Sequence, residues 1–112
     1  MRVRRFGKSY AHPLLVLVAQ PSELNQSRLG VSASRSLGNA VKRNRAKRRL
    51  RAALQPHLPG ILPGWDAILI ARQPILDAEF SILNKAVASL LLKAGMTRGV
   101  NDAGERRPPT LT

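Results

Sequence analysis

Residues 28–51, RLGVSASRSLGNAVKRNRAKRRLR, decide the fold of this chain. From Leu29 to Ser34 apolar residues alternate with small or polar ones, which is the period of a half-buried strand. The following Asn39–Leu54 contains no Gly or Pro and is rich in Ala, Lys, Arg and Leu, which favours a helix. Gly38 can take the positive φ that a sharp entry needs, and Asn39 is a good N-cap. The stretch therefore predicts a strand, a tight turn and a basic helix.

The predicted helix carries positive charge on every side but one. From Lys42 to Arg51 there are seven cations and no acid. At about 100° per residue, the apolar residues form one narrow stripe, made of Ala46, Leu50, Ala53 and Leu54. Charges of one sign repel each other, whereas a merely soluble helix gains stability by mixing Glu with Lys at i,i+4. A solvated charged face is the alternative, but the uniform sign favours a surface that binds phosphates.

Composition narrows the class of protein further. The 112 residues suffice for one domain, and 19 Lys and Arg against 6 Asp and Glu give a net charge of +13. No acid lies between Glu23 and Asp66, where nine cations do, and this concentration favours nucleic acid as the partner. A membrane surface would also attract the charge, but the basic helix lacks a broad apolar face to insert. The absence of Cys excludes disulfides and fits a reducing compartment.

The remaining segments complete a fold prediction. Tyr10–Ala19 holds the longest apolar run, which is too short for a membrane span or a signal peptide and predicts a central buried strand. Trp65–Arg72 predicts another buried strand, and Ala78–Ala94 an amphipathic helix that Asp77 can cap. The wide apolar stripe of this helix consists of Ile82, Leu83, Ala86, Val87, Leu90 and Leu91. Pro56–Gly64 predicts a linker.

The order strand, strand, helix, strand, helix implies a two-layer α+β domain, with one sheet and the helices on one of its faces. In this arrangement the basic helix joins two strands as a crossover. The domain is expected to span residues 1–95, and the polar segment 96–112 predicts a disordered tail.

The titratable residues give little support to a protein-based catalyst. A metal nuclease needs converging carboxylates, and the acids are scattered along the chain. These are Glu23, Asp66, Asp77, Glu79, Asp102 and Glu105. A self-sufficient nuclease that uses His12 and His57 as general acid and base is a further alternative, which their spacing does not support.

Aromatic residues are few, so the chain has few side chains that could stack on nucleic-acid bases. Phe6 and Tyr10 lie in a basic N-terminal stretch and could stack on bases, whereas Trp65 and Phe80 are predicted to pack in the core. The residues alone thus predict an RNA- or DNA-binding module dominated by attraction to phosphates.

The central stretch closely resembles the signature of the protein subunit of bacterial ribonuclease P. The family pattern is a strand ending in Ser-Lys-Lys or similar, then Gly-Asn-Ala-Val, then Arg-Asn-Arg followed by spaced basic residues. These positions hold Ser34-Arg35-Ser36, Gly38-Asn39-Ala40-Val41, Arg43-Asn44-Arg45, Lys47-Arg48 and Arg51. The resemblance covers about Val3 to Ala94, and Ser36 departs from it where the family has a second basic residue.

The resemblance implies a ribosomal protein S5 domain 2-like α/β sandwich with a left-handed βαβ crossover. It also implies an N-terminal helix with a Phe near its start, ahead of the segment matching Val3–Gly7. Met1 is expected to fall inside that helix.

The resemblance further implies a function in tRNA 5′ maturation. In this family the RNA subunit, with Mg²⁺, cuts precursor tRNA, while the protein binds that RNA and the single-stranded 5′ leader in a groove between helix and sheet. The protein is then expected to work in the cytoplasm without catalytic residues, a bound metal, a small-molecule substrate or a membrane. The RNA-binding residues implied are Ser34, Arg35, Arg43, Asn44, Arg45, Lys47, Arg48 and Arg51. A non-catalytic RNA-binding protein of ribosomal type, on a related fold, is the alternative.

Overall fold

The structure, a computed structural model, describes residues 7–97 and 110–111. Its main elements in chain order are β1 (Lys8–Ala11), β2 (Leu15–Pro21), β3 (Arg28–Ala33), α1 (Ala40–Leu54), β4 (Trp65–Ala71), α2 (Phe80–Lys93) and β5 (Thr110–Leu111). Short 3₁₀ helices lie between them at Arg35–Leu37, Gln55–Gly60 and Gln73–Leu76. The predicted α+β class is confirmed.

The strands form one mixed sheet in the order β1-β2-β4-β3-β5. β2 is antiparallel to both β1 and β4, while β3 runs parallel to β4 and to β5. Parallel neighbours need a crossover connection between them, and α1 supplies most of the one from β3 to β4. The basic helix is therefore the crossover that the sequence predicts.

Both helices cover the same face of the sheet. Alternate residues of the two central strands belong to the core, and the register sets them side by side: Leu15 opposite Ala71, Leu17 opposite Leu69, and Ala19 opposite Ala67. Against them α1 packs Ala46, Leu50, Ala53 and Leu54, and α2 packs Leu83, Ala86, Val87, Leu90 and Leu91. The result is the two-layer arrangement in which the sheet's second face carries no helix among the described residues.

The predicted strand Tyr10–Ala19 is wrong as a single element, because it is a hairpin. Its turn closes at His12, whose backbone N–H donates to the carbonyl of Leu15 over 2.9 Å and whose Nδ1 accepts from the N–H of Leu14 over 3.0 Å. Pro13 sits inside this turn, where its missing N–H costs no ladder bond. Only β2 holds the apolar run, and it is central as predicted.

The predicted linker Pro56–Gly64 is folded over most of its length. The 3₁₀ helix Gln55–Gly60 continues directly from α1 and buries Leu58, and the next residue, Ile61, is buried too. Proline and glycine end the α-helix here as expected, but the apolar residues between them anchor the segment to the core.

The second helix begins later than predicted. It starts at Phe80 with Glu79 as an N-cap that makes no side-chain capping bond, and Asp77 ends the preceding 3₁₀ helix instead. Capping by Asp77 is therefore wrong. Phe80, expected in the core, is 44% exposed, and Ile82, expected in the apolar stripe, is 52% exposed. Trp65 does pack against the core, where it is partly buried.

Some predictions lie outside the described residues. The N-terminal helix and the stacking role of Phe6 fall on residues 1–6, and most of the predicted tail falls on 98–109 and 112. Within that predicted tail, Met96 is buried in the core and Thr110–Leu111 pairs with β3.

Candidate nucleic-acid interface

A short turn between β3 and α1 sets the direction of the basic helix. Ser34 caps the 3₁₀ helix that follows β3, with its Oγ accepting from the N–H of Ser36 over 3.3 Å. Leu37 anchors this turn in the core. Gly38 then takes a φ of 96°, the left-handed region that glycine enters at no steric cost, and Oδ1 of Asn39 accepts from the N–H of Lys42 over 3.0 Å. The predicted glycine turn and Asn cap are both present.

One face of α1 is exposed to solvent. Opposite the buried stripe the helix exposes Asn44, Arg45, Arg48 and Arg51, together with Val41, which is 75% exposed. Among the described residues these side chains form no ion pair with an acid. Repulsion between their charges is therefore uncompensated within this part of the protein, which is the state that a polyanion relieves.

The exposed face borders a shallow, open concavity of about 440 Å³. Its lining among the described residues comes from five positions on α1: Val41, Asn44, Lys47, Arg48 and Arg51. Apolar, amide and cationic groups thus meet in one place. This combination suits a nucleotide, whose base or ribose can lie on the apolar atoms while its phosphate meets the guanidinium groups.

Two of the predicted binding residues lie beside the buried stripe instead of on the exposed face. Arg43 is half-buried, with Nη2 donating to the carbonyl of Ala33 at 3.5 Å and a buried Nε that has no partner among the described residues. Lys47 is half-buried as well. Arg43 therefore projects toward the end of β3, where Ser34 and Arg35 leave the sheet. The structure brings the eight predicted residues into two adjoining groups, one on α1 and one at this strand end; their contact with RNA stays a prediction.

One cation of the basic helix has a structural role that the sequence did not reveal. Arg49 donates through Nη1 to the carbonyls of Ile75 (2.6 Å) and Leu76 (3.0 Å), and through Nη2 to that of Ala78. It therefore ties α1 to the 3₁₀ helix before α2. No sequence signal marks Arg49, because its partners are backbone carbonyls about thirty residues away.

The groups considered for protein-based catalysis are occupied by structural contacts. His12 accepts a bond in the hairpin turn, and Nε2 of His57 lies 2.8 Å from Oδ1 of Asn84. The buried carboxylate of Asp66 accepts from Nε and Nη2 of Arg28 at 2.9 and 2.8 Å. The hydrogen bonds and the charge of Asp66 raise the pKa of Arg28. Within residues 7–97 and 110–111 no group of three acids, histidines or cysteines is placed to hold a metal.

The described helices are also too short or too polar to cross a membrane. Tyr10, considered for stacking on bases, is partly buried and packs against the hydrophobic core; its contact with bases stays a prediction. Among the described residues, the lining of the concavity includes three cations and no aromatic side chain.

Comparison with known proteins places these features in a family. The family model described as Ribonuclease P matches residues 1–95. The chain is 43% identical over 93 residues to the ribonuclease P protein component of Herpetosiphon aurantiacus. This aligned region covers 83% of this chain and 76% of that protein. Among solved structures, the RNase P protein of Staphylococcus aureus superposes with a TM-score of 0.73 at 35% identity, over 87% of this chain and 89% of that one. The RNase P protein of Thermotoga maritima gives 0.70 at 26% identity, over 83% and 94%.

Proposed function

From the membership of this chain in the ribonuclease P protein family, we propose that it binds two RNAs through one continuous basic surface. As a member of this family, the chain is the protein subunit of an endoribonuclease that processes tRNA. Membership in this family implies that one of these RNAs is the ribonuclease P RNA, which carries out the cleavage in this family. The second RNA in the proposal is the 5′ leader of the precursor tRNA. The family assignment displaces the ribosomal-type alternative.

The observation that carries the proposal is the exposed, acid-free face of α1. Lys and Arg that neutralise phosphates release condensed counterions, and this release supplies most of the affinity of such interfaces at moderate salt. Cations placed between a catalytic RNA and its RNA substrate also offset the repulsion between the two chains. The protein should therefore lower the Mg²⁺ concentration at which the RNA subunit cleaves.

The concavity beside Val41 is where we place a leader nucleotide. Arg48 and Arg51 are positioned to meet backbone phosphates, and Val41 offers an apolar surface to a base or ribose. Leader contacts of this kind are tolerant of sequence, since they use the backbone and a stacking or apolar surface instead of hydrogen bonds to base edges.

The proposal assigns no catalytic residue and no metal to the protein. Mg²⁺ would act with the RNA subunit, where it would supply the charge stabilisation and activated water that phosphodiester cleavage needs. The side chains of the protein would bind and orient the RNAs. We place the protein in the cytoplasm, since its proposed substrate is a precursor tRNA and the chain contains no Cys.

The test is cleavage of a leader-bearing precursor tRNA at low Mg²⁺ by the protein alone, by the ribonuclease P RNA alone, and by both together. Cleavage only by the combination supports the proposal, and cleavage by the protein alone would replace it with a histidine-based nuclease. Arg45→Ala should weaken binding to the ribonuclease P RNA and flatten its salt dependence by about one phosphate contact. Lys93→Ala, which removes an exposed cation at the end of α2, is the matched control.

A further inference from the structure

The outer side of α2 carries large apolar side chains where a solvated helix would carry charges. Ile82 is 52% exposed and Leu92 is 57% exposed. The helix contains no acid, so no pairing of opposite charges along it stabilises this side. Single exposed apolar residues are ordinary on a protein surface. What matters here is therefore how the two residues are arranged with their neighbours.

Four exposed residues of α2 form one seam along the helix. They are Ile82, Lys85, Ser89 and Leu92, which lie at i, i+3, i+7 and i+10. At about 100° per residue they fall within an arc of about 80°. This is the spacing by which one helix packs lengthwise against another. The α2 seam thus has the form of one half of a helix pair.

The α2 seam is complementary to itself when its direction is reversed. From either end it is apolar, polar, polar, apolar, and its midpoint lies at the level of Val87. A two-fold axis at that level sets Ile82 against Leu92 of the partner subunit, and Lys85 against Ser89 of the partner subunit. A parallel pairing would instead oppose the two Lys85 side chains, and like charges at short range repel. A two-fold contact of this kind also closes, which is the commonest symmetry of protein assembly.

We propose that two copies of this chain associate through the α2 seam as an antiparallel pair of helices. The contact involves one helix of 14 residues from each copy, so the dimer should be weak, with a Kd between about 10 µM and 1 mM. The α2 seam shares no residue with the exposed face of α1. The inference is therefore independent of the proposed function.

Salt should act on this dimer in the opposite direction from its action on RNA binding. Each copy carries a net charge of +13, so two copies repel each other. The Debye length falls from about 10 Å at 0.1 M salt to about 3 Å at 1 M, and the repulsion is screened. Self-association should therefore tighten with salt, whereas binding to the ribonuclease P RNA weakens as counterion release loses its effect.

The first test is sedimentation equilibrium of the full chain without RNA, at about 0.1 M and about 1 M salt. Ile82→Glu should weaken the dimer at least tenfold, because each dimer loses two apolar contacts and must desolvate two carboxylates. Leu24→Glu is the matched control, since Leu24 is 50% exposed in the β2–β3 connection and the change of charge is the same. This control should associate as tightly as the wild type.

The second test examines the direction of the pairing by disulfide formation, which the absence of Cys from the chain makes possible. A mixture of Ile82→Cys and Leu92→Cys should form a disulfide between copies much faster than either variant alone. In the antiparallel pair the two copies of residue 82 lie about 15 Å apart along the helix axis, too far for a disulfide. Residue 82 of one copy and residue 92 of the other lie at the same level.

These measurements decide the inference. A wild-type protein that stays monomeric at about 1 mM in high salt overturns it, and so does an Ile82→Glu variant that associates as tightly as the wild type. Equal disulfide rates for the single variants and the mixture overturn the antiparallel register. Ile82→Glu should bind the ribonuclease P RNA as tightly as Leu24→Glu does, which also confirms that it is folded. If the wild-type protein does not bind this RNA, the proposed function fails while the result on self-association stands.

Discussion

Replacing Arg49 by Ala should destabilise the fold, whereas replacing its neighbour Arg48 should weaken RNA binding. The two side chains are adjacent in a helix whose charged residues are all cationic, but they have different roles. Arg49 bonds three carbonyls, those of Ile75, Leu76 and Ala78, and Arg48 is exposed on the face that borders the concavity.

The size of the effect follows from those three bonds. A hydrogen bond to a charged group can contribute 1.5–3 kcal/mol, but Arg49 is only half-buried and water can replace part of what is lost. At about 1 kcal/mol per bond, Arg49→Ala should lower the free energy of unfolding by about 3 kcal/mol. For a domain of this size that corresponds to a fall of about 2 M in the urea midpoint. Arg48→Ala should change the free energy of unfolding by less than about 0.5 kcal/mol.

Fluorescence of Trp65, the only tryptophan of the chain, reports unfolding because this side chain packs against the core. Filter binding to the ribonuclease P RNA supplies the second measurement. It is carried out without urea, at a temperature where each variant is folded. Arg49→Lys should recover only part of the stability, since one ammonium cannot span three carbonyls as a planar fork does. An unchanged urea midpoint for Arg49→Ala, together with a binding loss equal to that of Arg48→Ala, would refute this division of roles.

Three further variants test the turn and the sheet by urea unfolding. Asn39→Ala removes the cap bond to Lys42 and should cost about 1 kcal/mol, and a midpoint equal to the wild type would show that water caps the helix as well. Gly38→Ala places a side chain at a φ of 96° with only Lys42 Cδ nearby at 3.9 Å, so the cost should be conformational, about 1–2 kcal/mol, and should not change if Lys42 is shortened. The raised pKa of Arg28 means that its stabilising pairing with Asp66 is present below the ordinary pKa of arginine and is lost only as the pH rises through the still higher folded value. In the unfolded chain a lysine titrates at about pH 10.4, so the stability of Arg28→Lys relative to the wild type should fall as the pH rises above that value; parallel pH profiles would contradict this.

Local rules predicted the centre of the fold because each rule there depends on near neighbours. The helix from Ala40 to Leu54, its Asn39 cap and the glycine turn each depend only on residues that are close together in the sequence. The hairpin was missed for a related reason. The apolar run from Leu14 to Ala19 favoured one continuous strand, whereas the chain turns at Pro13, where the N–H of Leu14 donates to the imidazole of His12.

Other errors came from contacts that are distant in sequence. The Pro-rich segment after α1 looked like a linker, but Leu58 and Ile61 reach the core that α2 and the sheet complete. Conversely, the apolar pattern of the last helix predicted Ile82 as buried, while the core takes Leu83 and leaves Ile82 in solvent. A helix stripe has a width that depends on the neighbours that pack against it, and the sequence does not state that width.

The basic helix contains both features that its sequence predicts and features that depend on residues distant in sequence. Its buried stripe is readable from sequence, and so is the sorting of the cations from Arg43 to Arg51 by their angular distance from that stripe. Arg45, Arg48 and Arg51 lie far from it and are exposed, whereas Arg43, Lys47 and Arg49 flank it and are half-buried. What the sorting cannot supply is the partner of each flanking cation. Arg49 meets carbonyls that use up its donors, while Arg43 keeps a buried Nε without a described partner beside the strand end. The first is therefore held to the fold through three carbonyls, whereas the second makes one described bond, 3.5 Å long, to the carbonyl of Ala33, a distinction that charge counting along the helix cannot make.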